Sequence, residues 1–233
     1  WLTVSIGRTC SPRPKHQAWL GGGSSDAAAT VRATAAALGV DLPPSERLAI
    51  LTELGSDTAF FEAAAHTGHA WCFGRGEQVR PIETVNHDLW IALLVPEVGV
   101  STAAVYGALS QVSSESIELA DPQSDLLDGD LDAVRARLFN GLEAAACAVA
   151  PDLARWRAVL DAHRASHYRL SGSGSAWFGL HERREDAERD VQMLAAGAAD
   201  KGLAVRAASA VGVRSRGLDE PRVSSGPDGG AVA

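Results

Sequence analysis

The chain has 233 residues, 46% of them hydrophobic, and a formal net charge of −8. That length suits one large or two small domains, and the charge argues against nucleic acid or an anionic membrane as the main partner while leaving a local anion site possible. Cys10, Cys72 and Cys147 follow no pattern, which points to a reducing cytoplasmic setting. No apolar run approaches the roughly 20 residues of a membrane helix, and no signal-peptide pattern is present.

Trp1 to Ile6 is predicted to be a strand, so the chain opens inside an element with no initiator Met. It is expected to be a fragment or a trimmed product. Residues 7–19, with Pro12 and Pro14, form a predicted loop. Leu20-Gly21-Gly22-Gly23-Ser24-Ser25-Asp26 then leads into an Ala-rich helix predicted from Ala27 to Leu38. Ser24, Ser25 and Asp26 are all N-cap residue types. A glycine-rich loop feeding a helix N-terminus offers free N–H groups and a partial positive charge, the makings of a phosphate site. The lysine of the P-loop is absent, and the G-x-G-x-x-G dinucleotide fingerprint is not spelled.

A second helix is predicted from Ser45 to Leu54, with Ser45 as cap and Gly55 beyond its end. Strands follow at Ala70–Phe73, Gln78–Ile82 and Leu89–Val95, the first two joined by Gly74-Arg75-Gly76. Ser101 and Thr102 can cap a helix through Leu109. Residues 112–129 are a predicted loop. Helices are expected over Leu131–Val149, despite Gly141, and over Pro151–Ala165. Next come a strand at His167–Ser171, the small-residue loop Gly172–Ser175, and a strand at Ala176–Leu180. An amphipathic helix at Arg183–Ala199 and a strand at Leu203–Val213 complete the body. The tail from Arg214 is Ser-, Gly- and Pro-rich and is expected to be disordered. Helices and strands mix without a regular βαβ beat, which favours an α+β fold.

Asp57 follows Gly55-Ser56 and precedes Ala59-Phe60-Phe61. A carboxylate in that position either caps a turn or serves as a base on a hydroxyl. The seven histidines are scattered, and no metal site is expected from them.

The Gly21–Ala28 stretch resembles the ATP-binding signature of the GHMP kinases. Its triple glycine with Ser24-Ser25-Asp26 is most like the branch that phosphorylates 4-diphosphocytidyl-2-C-methyl-D-erythritol. Leu54 to Phe61 is similar to that branch's L-G-S-D-V-P-F-F, with Ala59 in place of proline. Leu170-Ser171-Gly172-Ser173-Gly174-Ser175 resembles the third GHMP motif. Gly74 to Glu77 resembles a G-x-G-E turn, Ser101 to Tyr106 an S-T-x-x-V-Y segment, and Asn140, Leu142 and Glu143 an N-D-L-E segment. The likeness runs from about Pro14 to Val213. Trp19 and Lys15 stand where the branch has glycine and proline, and the family's first motif, a strand with a lysine, is missing.

The resemblance implies the α+β GHMP kinase fold, with an N-terminal part like ribosomal protein S5 domain 2 and a ferredoxin-like C-terminal part. It divides the chain into an ATP-binding unit at 1–95, a C-terminal unit at 96–213 and a disordered tail at 214–233. It implies phosphoryl transfer from ATP, with Mg²⁺, to the substrate 2-hydroxyl in non-mevalonate isoprenoid synthesis, in the cytoplasm. Lys15, His16, Gln17, Ala18, Trp19, Leu20, Gly21, Gly22, Gly23, Ser24 and Ser25 would cradle the triphosphate. Asp57 would be catalytic. Ser171, Gly172, Ser173 and Gly174 would shape the substrate pocket, with Phe178 stacking on the cytosine ring. The partner is a small molecule, with no nucleic acid or membrane. Two alternatives stay open: another GHMP small-molecule kinase, and a catalytically impaired nucleotide-binding fragment.

Overall fold

The computed structural model describes residues 20–65, 67–82, 89–111 and 129–213. The expected strand at Trp1–Ile6, the Lys15–Trp19 part of the cradle, most of the 112–129 loop and the tail at 214–233 lie outside these residues.

The centre of the molecule is an eight-residue strand, Leu89–Pro96 (hereafter β3). Its sequence, Leu-Trp-Ile-Ala-Leu-Leu-Val-Pro, is nearly all apolar, the mark of a strand buried on both faces. It pairs antiparallel with Trp177–His181 (β5) on one side and Val205–Val213 (β6) on the other. Arg169–Leu170 (β4) adds outside β5, giving the order β4-β5-β3-β6. Because side chains alternate along a strand, Ala92 and Leu94 face one side, while Ile91, Leu93 and Val95 face the other.

The first face is covered by helices at Thr102–Ala108 (α4), Glu143–Val149 (α6), Pro151–Ala162 (α7) and Arg184–Asp200 (α8). Trp156, Leu153, Trp177, Leu194 and Leu160 are fully buried between these helices and the sheet. Each such side chain contributes about 1.5–3 kcal/mol of transfer free energy. On the second face, Ile91, Leu89 and Leu180 pack against Trp71, Ile82 and the helix Leu131–Arg137 (α5). Trp71 belongs to a hairpin of Ala70–Phe73 (β1) and Gln78–Pro81 (β2). Gly74 and Gly76 in its turn hold positive φ of 67° and 114°, which glycine adopts without Cβ strain.

The N-terminal helices are Gly22–Leu38 (α1), Pro44–Leu54 (α2) and Thr58–Ala63 (α3). Glu62 on α3, its side chain 7% exposed, accepts from Arg32 of α1 at 3.0 Å and from Arg47 of α2 at 2.6 Å. This doubly charge-assisted contact ties the three helices together.

Three expectations are corrected. Helix α1 starts at Gly22, with Gly21 as its left-handed N-cap (φ 68°), so Ser24, Ser25 and Asp26 lie inside the first turns and do not cap it. Likewise Pro43, not Ser45, occupies the N-cap position of α2, and Pro44 opens the helix with a φ already suited to it. The expected helix over Leu131–Val149 is two helices. Asn140 breaks it, because its buried side chain turns away to bond other backbone groups: Oδ1 accepts from Leu142 N at 2.9 Å, and Nδ2 donates to Leu170 O and Gly172 O.

Candidate active site

Helix α1 opens with the sequence's glycines. The first intrahelical bond runs from Ser25 N to Gly21 O at 2.8 Å, so the amides of Gly22, Gly23 and Ser24 have no acceptor within the helix. Gly22 and Gly23 are exposed, and a Cβ built on either would meet nothing within 4 Å. The helix start therefore presents aligned N–H groups and the positive end of a dipole to open space. Immediately before it, Leu20 packs into the cluster formed by Leu93, Val95 and Ala176, with Phe178 against the same cluster. This contact seats the start of α1 on the second face of the sheet, beside the loop that precedes β5.

That loop is the Ser171–Ser175 stretch. It closes a β4–β5 hairpin, with Leu170 opposite Trp177 and Ser171 N bonded to Ala176 O at 2.8 Å. Gly172 and Gly174 hold φ of 52° and 96°, and a Cβ on Gly174 would meet Leu170 and Leu153 at 3.2–3.3 Å. Asn140 Nδ2 grips the loop at Leu170 O (2.7 Å) and Gly172 O (2.8 Å). Glu143 Oε2 accepts from Leu170 N at 3.1 Å, and burial raises the Glu143 pKa. Thr102, at the start of α4, bonds Ser173 Oγ at 3.0 Å. Ser101 caps that helix through Ala104 N, as its residue type predicts. Phe178 is half-buried, between Leu93 and Arg169 in the strand register.

Asp57 occupies the turn between α2 and α3. Its carboxylate is half-buried, its Oδ1 is 3.4 Å from the Ser56 hydroxyl, and burial raises its pKa above the ordinary value while Ser56 opposes the shift. Thr58 anchors the turn by donating to Leu51 O and to Gly55 O. The β1–β2 turn presses on this carboxylate: a Cβ on Gly76 would stand 3.1 Å from Asp57 Oδ1 and 3.2 Å from Ser56 O. The structure thus brings the hairpin glycine to Asp57, and Leu20 to the cluster of Leu93, Val95 and Ala176. Lys15, His16, Gln17, Ala18 and Trp19 lie outside the described residues.

Sequence reasoning missed two supports. Asn140 reads as a packing residue until its three bonds to the Leu170–Gly172 and Leu142 backbone are seen. Gly76 reads as a hairpin residue alone, and no local pattern places it against a carboxylate nineteen positions away in sequence. The Glu77 side chain, which accepts from Arg75 N at 2.7 Å, secures that turn.

The family described as GHMP kinases C terminal matches residues 123–200. That stretch is thus similar to the C-terminal part of the GHMP kinases. A Bacillus cereus 4-diphosphocytidyl-2-C-methyl-D-erythritol kinase is 36% identical over 172 residues, covering 72% of this chain and 57% of the relative. The same enzyme of Bacillus anthracis matches equally, at 36% identity over 72% of this chain and 57% of its own length. The chain thus spans little more than half the length of these relatives. A crystal structure of 4-(cytidine 5'-diphospho)-2C-methyl-D-erythritol kinase superposes with TM-score 0.61 at 26% identity, covering 87% of this chain and 67% of that one. Homoserine kinase from Cytophaga hutchinsonii superposes with TM-score 0.64 at 18% identity, over 88% and 68% of the two chains, a likeness of fold alone. The α+β architecture is that of the GHMP kinases. Among the described residues, no helix is long and apolar enough to cross a membrane.

Proposed function

We propose that this chain belongs to a kinase that transfers the terminal phosphoryl group of ATP to the 2-hydroxyl of 4-diphosphocytidyl-2-C-methyl-D-erythritol, a step of non-mevalonate isoprenoid synthesis. The observation that carries this reading is the packing of Leu20, just before the glycine-rich start of α1, against the cluster of Leu93, Val95 and Ala176, whose last member directly follows the Ser171–Ser175 loop. Two small-residue segments with these sequences, one following Leu20 and the other ending next to Ala176, suit a nucleotide phosphate at one and its acceptor at the other.

The open space over Gly22 and Gly23 fits a phosphate chain approaching the helix end. Gly21, Gly22, Gly23, Ser24 and Ser25 would hold the phosphates of ATP, with Lys15 to Leu20 completing the cradle. ATP supplies the phosphoryl group when bound, and Mg²⁺ would enter with it, held by phosphate oxygens and water. Asp57 would take the proton of the attacking hydroxyl; burial favours this, since a carboxylate whose pKa is raised accepts a proton more readily. Ser171, Gly172, Ser173 and Gly174 would position the substrate, and the half-buried Phe178 would offer a face to the cytosine. Most of the remaining work is orientation. In the two-unit division, 1–95 would bind ATP and 96–213 would carry the acceptor. Strand β3 ends the first unit yet pairs wholly with strands of the second.

The test is ADP release coupled to a spectroscopic readout, with the diphosphocytidyl substrate against homoserine and mevalonate. Turnover with the cytidyl compound alone supports the proposal. Turnover with another acceptor transfers the chain to a different GHMP kinase activity. Tight ATP binding with no turnover on any acceptor favours the nucleotide-binding reading.

A further inference from the structure

A second cluster of chemical groups lies away from this site, on the helix-covered side of the sheet. His167 stands in the turn before β4, His181 ends β5, and Asp190 lies on α8. One ligand atom from each lies within 4.8 Å of the others. His181 Nε2 is 3.6 Å from Asp190 Oδ2. Tyr168 Oη sits 3.2 Å from His181 Nε2 and donates to Asp190 Oδ2 at 3.3 Å. His181 is 5% exposed, and His167 Nε2 is buried with no hydrogen-bond partner.

A buried imidazole nitrogen without a partner is costly unless something supplies one. Bonds of about 2.0–2.1 Å to nitrogen and oxygen in a tetrahedron put neighbouring donors about 3.3 Å apart. The His181–Asp190 separation of 3.6 Å is close to that edge. Two imidazoles and one carboxylate form a borderline donor set that suits zinc better than magnesium or calcium.

We propose that His167, His181 and Asp190 form a binding site for one zinc ion, with Tyr168 Oη or water at the fourth position. The ion would join the turn before β4, the end of β5 and helix α8, and so act as a clamp on the fold, apart from phosphoryl transfer. A metal takes the neutral form of each imidazole, and Asp190 supplies the negative charge. Without metal, the Tyr168 hydroxyl bonds both His181 and Asp190, leaving His167 Nε2 without a hydrogen-bond partner.

The experiment uses the full chain after dialysis against chelator. Zinc is titrated by calorimetry, cobalt(II) is added as a spectroscopic probe, and melting is followed with and without zinc. Expected are one zinc per chain, tetrahedral d–d absorption from cobalt, and a Tm that rises with zinc and returns with chelator. His167→Phe, which keeps ring volume without a donor, and Asp190→Asn, which keeps the Tyr168 bond without the charge, are the variants. Each should weaken zinc by more than the roughly 10–100-fold that losing an outer partner costs, with the metal-free Tm of His167→Phe unchanged or higher. No binding by the parent chain overturns the proposal, as does binding undiminished in both variants.

Discussion

Gly76 lies against Asp57: a Cβ added to the glycine would stand 3.1 Å from the carboxylate Oδ1. The glycine also holds φ 114°, so it meets two demands, a backbone that L side chains avoid and the space a carboxylate occupies. The β1–β2 hairpin therefore serves as a wall for the aspartate that is proposed to take a proton.

Gly76→Ala follows directly. Strain at a positive φ of this kind costs about 1–3 kcal/mol, and the new methyl must also push Asp57 or Ser56 aside. Turnover in the ADP-release assay should fall further than the loss of stability alone explains. Gly39→Ala is the control, because Gly39 also has positive φ (65°) but meets nothing within 4 Å. It should cost about 1–2 kcal/mol in urea melts and leave kcat unchanged. Equal kcat in the two variants would remove the hairpin from any role at Asp57.

Asp57→Asn should cut kcat by about 100-fold or more, within the 10²–10⁴ range of general-base removal, while ATP affinity in calorimetry barely changes. It should also stabilise the fold at neutral pH. A carboxyl whose pKa is raised in the folded state binds its proton more tightly there than in the unfolded chain, so its contribution is most favourable below the unfolded pKa and declines as pH rises through the shifted range. The Tm of the variant should therefore exceed the parent's at pH 7, and the gap should narrow as pH drops below the carboxylate range. A parent that is more stable than Asp57→Asn at pH 7 would contradict the burial argument.

Gly22→Val tests the phosphate end separately. Nothing lies within 4 Å of a Cβ there, so the change adds a branched side chain to open space at the helix start. Tm should move little, since valine's lower crowding tolerance is offset by glycine's larger entropy loss. ATP affinity should drop by about an order of magnitude or more, because the side chain blocks the close approach of phosphate to the amides. Unaltered affinity in calorimetry would sink the assignment of ATP to this helix.

Asn140→Asp should be severe. The side-chain amide donates to Leu170 O and Gly172 O, and a carboxylate would instead face two carbonyl oxygens in a buried site. Asn140→Ala leaves those carbonyls without their donor and should cost about 2–3 kcal/mol in urea melts. Because the grip is on the Ser171–Ser175 loop, KM for the cytidyl substrate should rise more than KM for ATP. A uniform rise in both would indicate a general loss of folding.

Much of the architecture is readable from local pattern. The apolar run of β3, the Pro44 and Gly55 boundaries of α2 and the hairpin glycines Gly74 and Gly76 each follow from a short-range rule. The fold class follows with them. The failures have long-range causes. Asn140 splits a predicted helix because its amide is spent on a loop 30 residues on. Gly22 and Gly23 lie in the helix because Gly21 turns left-handed first. The His167–His181–Asp190 cluster draws one residue from each of three elements, so no spacing reveals it. The one local hint, His163 four positions before His167, misleads: His163 Nδ1 contacts Val159 O at the end of α7 and takes no part in the cluster.

Strand β3 is a party wall. Its Ala92 and Leu94 belong to the helical side and its Ile91, Leu93 and Val95 to the side that receives Leu20 and Trp71. Removing it would separate β5 from β6 and unroof both cores together, so neither side can melt without disturbing the other. A chain cut after residue 95 would leave the first piece with a greasy strand bare on both flanks, and the second with two strands parted by an empty lane. A boundary at residue 95 would therefore not be a boundary in folding.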